Sequence, residues 1–313
     1  MIVIGSRGSQ LALWQAKHIA ARLHALGAET RLEIIKTTGD KITDVPLAQV
    51  GGKGLFTKEI EEALLAREVD LAVHSLKDMP ADLPEGLTLA AIPEREDPRD
   101  ALIGRKLDDL KIGDRIGTSS LRRSAQINAL GLGVITETLR GNVDTRLRKQ
   151  EEGMYDAIIL AAAGLRRLGW ESRITQMIPI ETMCPAVGQG ALAIETRNDG
   201  GEAFQLVSKL DHAETHDAIT AERAMLAVLG GGCQVPIGGH ARIEGASLHL
   251  RAIVASPDGA ELIKAQLSGL RMAAKEVGEQ LGRRLLDQGA REILAKVYAA
   301  SGPVRTGSPS ANQ

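Results

Sequence analysis

The chain has 313 residues, 43% hydrophobic and 25% charged, with a formal net charge of −2, the make-up of a folded protein of two or three domains. Only two Trp, two Tyr and two Phe are present, too few aromatic faces for a base-stacking nucleic-acid platform, and the near-balanced charge argues against a general polyanion binder. The first ten residues, MIVIGSRGSQ, lack the basic start and apolar core of an export signal, and no apolar run reaches the roughly 18 residues of a membrane span. Two cysteines, Cys184 and Cys233, make no disulfide framework, so free thiols in a cytoplasmic protein are expected.

In chain order, residues 2–4 read as a short strand ending in Gly5-Ser6-Arg7-Gly8-Ser9. A helix follows, with Ala12, Ala16, Ile19, Ala20, Leu23 and Leu26 on one face and Gly27 as its stop. Residues 32–36 read as a strand, 56–66 as a helix, and 69–73 and 87–92 as strands. This alternation predicts a parallel sheet covered on both faces. Residues 93–98, PEREDP, form a polar linker with two prolines. Beyond it the pattern restarts: strands at 101–103, 115–117, 134–135 and 157–161, helices at 119–130 and 143–152. Two features echo across the linker. Ile4-Gly5-Ser6 and Ile116-Gly117-Thr118 each close a strand and open a helix, and Asp70 and Asp156 each precede an apolar strand. Two similar lobes would explain both, although unrelated βα units share such features. Residues 185–190 form a second crossing, after which 191–196 are a strand returning to the first lobe. A helix from about 215 to 229 ends at three glycines. Then come three alternating strands (237–243, 247–255 and 261–267) and two helices (270–286 and 290–298), a small α+β unit. The Gly-, Ser- and Pro-rich residues 301–313 are expected to be disordered.

Four segments carry chemistry. Helix N-termini attract anions. Arg7 and Ser9 sit at one such turn, and Thr118, Ser119 and Ser120, followed by Arg122 and Arg123, sit at another. A single N-cap needs one oxygen, so the second turn offers more than capping demands. Arginines crowd the second lobe: Arg122, Arg123, Arg140, Arg146, Arg148, Arg166, Arg167 and Arg173. They are either a solvated face or a carboxylate-binding wall. The run His74-Ser75-Leu76-Lys77-Asp78-Met79-Pro80 follows an apolar strand. Asp78 is there either a turn residue before proline or an ionised carboxylate among cations, suited to stabilising a positive intermediate. Gly230-Gly231-Gly232-Cys233-Gln234-Val235-Pro236 sets Cys233 on an irregular glycine-rich loop, where a reactive thiol is commoner than a packed one. The two cysteines match no zinc spacing, and Cys184 reads as packing near a hinge. Gly51-Gly52-Lys53-Gly54-Leu55-Phe56 lacks the ending of a P-loop and reads as a mobile loop at the site or as an ordinary connection.

These segments, with Arg7 to Ala16, Leu139-Arg140-Gly141-Asn142 and Val187-Gly188-Gln189-Gly190-Ala191, occur in the order and over nearly the whole length that resemble the porphobilinogen deaminase family. The resemblance implies an α/β fold: two doubly wound lobes resembling type II periplasmic binding proteins plus a small α+β C-terminal domain. The corresponding division is 1–95 with 190–210, 98–186, and 213–300. It further implies a dipyrromethane cofactor joined through a thioether to Cys233, and stepwise addition of four porphobilinogen molecules with release of hydroxymethylbilane and ammonia. Asp78 matches the catalytic aspartate. Cofactor contacts fall to Ser75, Lys77, Thr118, Ser119, Ser120, Arg122, Arg123 and Arg140. Substrate contacts fall to Arg7, Ser9, Lys53, Phe56, Arg146, Arg167 and Gln189. One departure is Gln49, where some members carry a Lys. The expected partner is the small-molecule substrate alone, with no nucleic acid or membrane, and a monomer is expected. Two other readings compete. A non-catalytic two-lobed anion-binding protein leaves Cys233 and Asp78 unexplained, and an acyl-transfer enzyme would use Cys233 as nucleophile.

Overall fold

The structure, a computed structural model, describes residues 1–41, 54–80, 82–231 and 235–300. The first sheet has the order β2-β1-β3-β10-β4, built from Thr30–Ile34, Ile2–Ser6, Leu71–Ser75, Leu192–Arg197 and Leu87–Ala91. The second has the order β7-β6-β8-β5-β9, built from Ile135–Glu137, Arg115–Gly117, Ala157–Ala161, Asp100–Ile103 and Gln176–Met177. Position by position the two are the same sheet. The echo has a physical basis: Val3 N–H donates to Asp70 Oδ2 at 2.9 Å, and Arg115 N–H donates to Asp156 Oδ2 at 2.8 Å. In each lobe the acid ahead of the central strand thus fastens the start of the strand beside it.

Neither sheet is purely parallel, contrary to the expectation from strand–helix alternation. β10 runs antiparallel to β3 and β4, and β5 antiparallel to β8 and β9. These are the strands that the two crossings deliver: β5 follows residues 93–98 and β10 follows 185–190. A chain that enters a lobe from its neighbour arrives from the opposite end, so its strand sense is reversed.

Helices cover both faces of the first sheet. The Gln10–Ala25 helix starts at Ser9, whose Oγ accepts from Ala12 N–H at 3.3 Å, and stops at Gly27, whose φ of 87° suits glycine. Its Ala16, Ile19 and Leu23 meet Ile2, Ile4, Leu71, Val73 and Ile194 in one apolar layer. The Lys58–Leu65 helix closes the other face through Ile60, Ala63 and Leu64 on Val69 and Ala72.

The third unit is an antiparallel sheet, β11-β12-β13 (Ile237–Glu244, Ser247–Ala255, Leu262–Leu270), under the helices Ala213–Val228, Ala274–Leu285 and Arg291–Ala300. The first two helices approach closely because Gly278 and Gly282 face the contact. A Cβ at Gly278 would lie 2.2 Å from Ala221 O, and one at Gly282 2.7 Å from Val228 Cβ. The segment 93–98 is less free than its composition predicted. Arg95 donates to Glu222 Oε1 at 2.6 Å and to Gln189 O at 2.8 Å. Buried Glu222 also accepts from Gly188 N–H (2.7 Å) and Ala241 N–H (2.8 Å). One carboxylate therefore joins both crossings to the third unit. Among the described residues, no helix is long and apolar enough to cross a membrane.

Candidate active site

The functional side chains lie where strands end and helices begin, as in other open α/β sheets. From the first lobe, Arg7, Ser9, Phe56, Ser75 and Asp78 line one cleft, with Gln15, Thr57, Ile60 and His74 on its walls and floor. Ser9 is spent partly on capping its helix. Ser75 Oγ accepts from Gln15 Nε2 at 2.9 Å. The Arg7 guanidinium lies over the Phe56 ring, 4.2 Å from its centroid. Gly39 is what lets that ring sit there, since a Cβ on it would come within 2.2 Å of Phe56 Cε1.

From the second lobe comes the turn after β6. Its hydroxyls do not cap the Leu121–Asn128 helix: no side-chain cap bond forms at Ser120. Thr118 Oγ1 accepts from Ser120 N–H at 3.2 Å, and Ser119 Oγ donates to Leu139 O at 2.5 Å. Arg122 and Arg123 turn inward, onto Asp100. Arg122 Nη1 reaches Asp100 Oδ2 at 2.7 Å and Cys184 O at 2.6 Å, and Arg123 Nη2 reaches Asp100 Oδ1 at 2.7 Å. Burial by itself would raise the Asp100 carboxyl, but the two guanidinium groups, with bonds from Arg122 and Gln189, outweigh it and hold it well below the usual carboxylate range. Asp100 escaped the sequence reading. The available signal was an acid opening the otherwise apolar strand Asp100-Ala101-Leu102-Ile103 directly after a linker.

The lobes meet electrostatically at Lys77 and Asp78. Burial pushes the Lys77 ammonium down to about 8; Arg123 and Arg122 push the same way, while Asp78 and Asp100 oppose them. Burial, with Arg123 and Arg140, lowers Arg146 to about 10, and Asp78 opposes. Arg146 Nε donates to Gly141 O at 2.7 Å, which orients its guanidinium. Arg140 Nη1 is buried without a hydrogen-bond partner among the described residues. Lys77 and Arg146 thus share one electrostatic field with Arg123 and Arg140 and with the carboxylates Asp78 and Asp100.

Two further expected contacts are buried beside the second crossing. Arg167 is buried, donates to Gly190 O at 2.6 Å and is lowered to about 10 by burial. Gln189 is fully buried, with Nε2 donating to Pro98 O (2.7 Å) and Asp100 Oδ1 (2.9 Å) and Oε1 accepting from Arg122. Its polar atoms are committed to the crossings and to the Arg122–Asp100 pair. Cys184 is buried against the same node, and burial pushes its thiol up to about 12. Gln49, Lys53 and Cys233 lie outside the described residues.

Comparison with known proteins fits this arrangement. A family model described as porphobilinogen deaminase, dipyromethane cofactor binding domain, matches residues 2–205, and one described as porphobilinogen deaminase, C-terminal domain, matches 217–287. A curated porphobilinogen deaminase of Syntrophobacter fumaroxidans is 54% identical over 96% of this chain and 99% of its own length. One from Geobacter metallireducens is 51% identical over 94% of each. A solved ABC-transporter periplasmic substrate-binding protein from Coxiella burnetii covers 71% of this chain and 95% of its own, at TM-score 0.43 and 12% identity, too loose an overlap to add to the strand orders themselves. The chain belongs to the porphobilinogen deaminase family.

Proposed function

We infer that this protein is a transferase that condenses four porphobilinogen molecules and releases hydroxymethylbilane and ammonia, with its cofactor held by the residues converging on Asp78. The residues fit a dipyrromethane, whose acetate and propionate arms are anionic. Burial, and after it one another's charge, depresses Lys77 and Arg146, and among the described residues Arg140 Nη1 has no hydrogen-bond partner. Both are what a site built for carboxylates leaves when those carboxylates are not counted. When bound, the group supplies the electron-rich pyrrole carbon on which the product is built, and Cys233 is its proposed anchor.

The protein's own part is electrostatic. Lys77, Arg123, Arg140 and Arg146 hold carboxylate arms, and Thr118, Ser119, Ser120 and Ser75 flank them. Arg122, tied to Asp100, serves by holding the turn in place. Arg7, Ser9 and Phe56 line the cleft in which an incoming porphobilinogen sits, and Lys53 would add a further cation. Arg167 and Gln189 act through the crossings. Asp100 is spent on Arg122 and Arg123, which leaves Asp78 as the carboxylate on the cleft side. With the group bound, Asp78 would supply a fixed negative charge that lowers the energy of the cation left when ammonia departs from the substrate's aminomethyl group. On this reading the protein works as a monomer in the cytoplasm, on a small molecule and without nucleic acid or membrane.

The observation that carries the proposal is Asp78 lining the cleft and coupled to Lys77 of one lobe and Arg146 of the other. The test is turnover of porphobilinogen by the purified protein and by Asp78→Asn. The variant is expected to keep its covalent pyrrole adduct and lose about 100-fold or more in kcat, the scale of removing one preorganised charge. Full activity in Asp78→Asn would remove that residue from the mechanism.

A further inference from the structure

Behind the cleft, on the sheet face covered by the Lys58–Leu65 helix, lies a polar cluster to which nothing so far assigns a task. His74 Nε2 is 3.0 Å from Glu195 Oε2, and the two side chains are 5% and 0% exposed. They come from adjacent strands: Ala193 is the register partner of His74 on β10, which sets Glu195 diagonally across on the same face. Glu61, from the covering helix, is 7% exposed. Thr57 and Glu61 are within a side-chain hydrogen bond of each other, while Glu195 Oε1 is buried without a hydrogen-bond partner among the described residues. Such an orphan is uncommon in folded proteins and calls for a reason. A brace for the helix would be better built from apolar groups, because two buried carboxylates beside one imidazole cost stability.

Position supplies the reason. His74 lines the same cleft as Asp78. Each condensation replaces a C–N bond by a C–C bond, and a proton leaves carbon while ammonia departs with its electron pair. We propose that His74, with its ring fixed by Glu195 and backed by Glu61, holds that proton on the cleft floor until ammonia carries it off as ammonium. The proposal rests on the transferase reading above. No net acid is consumed: the C–H proton passes to the imidazole and then to the released ammonia.

Burial holds Glu61 above the usual carboxylate range; Glu195 and Glu62 add to this, and Thr57 and His74 oppose it. Toward the cleft the charged neighbours are Asp78 and Arg7. Beyond Glu195 on β10, Arg197 is engaged by Asp70 Oδ1 at 3.1 Å and by the Leu64 and Val69 carbonyls. Glu195 is therefore the only anion shown bonded to the imidazole among the described residues.

The experiment pairs two readouts on the holoenzyme. Nitrogen-15 NMR follows the histidine titrations, the His74 signal being identified by its loss in His74→Gln, and kcat for porphobilinogen is measured against pH. Removing the carboxylate in Glu195→Gln disfavours the imidazolium, so the His74 midpoint should fall by about one pH unit. The acid limb of the kcat profile should move down by the same amount, with KM within about twofold. In His74→Gln that limb should vanish and kcat should drop about 100-fold, with the covalent adduct retained by mass. If Glu195→Gln fails to fold, Glu61→Gln should produce smaller shifts of the same sign in both readouts. A moved NMR midpoint with an unmoved kcat limb overturns the proposal, as does equal loss of kcat at every pH. Absence of pyrrole turnover in the unaltered protein would strike instead at the transferase reading and would leave the NMR coupling intact.

Discussion

Replacing Lys77 by Met should make the cofactor-free protein more stable, not less. Its ammonium is pushed from an ordinary 10.5 down to about 8, first by burial and next by Arg123. That gap is worth about 3 kcal/mol against the charged folded form. The sign follows from proton binding. Between pH 8 and 10.5 the unfolded chain holds more protons at this lysine than the folded one, so stability from this group rises with pH across that window. The penalty is complete below pH 8 and gone above 10.5. A Cys233→Ala background, which cannot form a thioether, isolates the effect. In urea at pH 7, Lys77→Met in that background should gain about 3 kcal/mol, or roughly 1–2 M in midpoint. The gain should shrink to nothing by pH 10.5. In the Cys233 protein the same substitution should weaken cofactor loading, because a carboxylate arm loses its cation. A variant no more stable than its parent at pH 7, or a gain independent of pH, would refute the picture of an ammonium held at a cost for a ligand.

Asp100→Asn should do the opposite, costing about 3–5 kcal/mol at pH 7, because Arg122 and Arg123 are left buried without their anion. A loss under 1 kcal/mol in denaturant would contradict it. Since the Asp100 carboxyl is held low, its contribution is present at neutral pH and is lost as the medium is acidified below about pH 4. Arg140→Ala should change stability by less than about 1 kcal/mol, as Nη1 has no partner to lose among the described residues, yet reduce loading or turnover about 10-fold through one missing charge-assisted contact. Unchanged kinetics would move Arg140 to the solvated surface.

Much of this was legible in the chain. Asp70 and Asp156 stand out because an acid ahead of an apolar strand needs a backbone donor, and each finds one on the neighbouring strand. The cation wall was visible as arginine density. Strand sense was not, because β5 and β10 look like any apolar strand, and only the path of the chain between lobes reverses them. Nor was the division of labour among the arginines. Arg122 and Arg123 are adjacent to a binding turn in sequence, but Asp100, about twenty positions earlier, claims them both. Gln189 falls in a segment typical of the family, yet its amide is committed to Pro98 and Asp100 at the first crossing. His74, Glu195 and Glu61 are separated by up to 134 positions, and only folding brings them together.

The central claim is a covalent pyrrole pair at one sulfur, held by Lys77, Arg123, Arg140 and Arg146. The direct measurement is the mass of the denatured protein, followed by peptide mapping. The account predicts a two-pyrrole adduct on the peptide bearing Cys233, abolished in Cys233→Ala, with Cys184 unmodified because burial keeps its thiol protonated up to about pH 12. An active protein whose Cys233 carried a free thiol would contradict it.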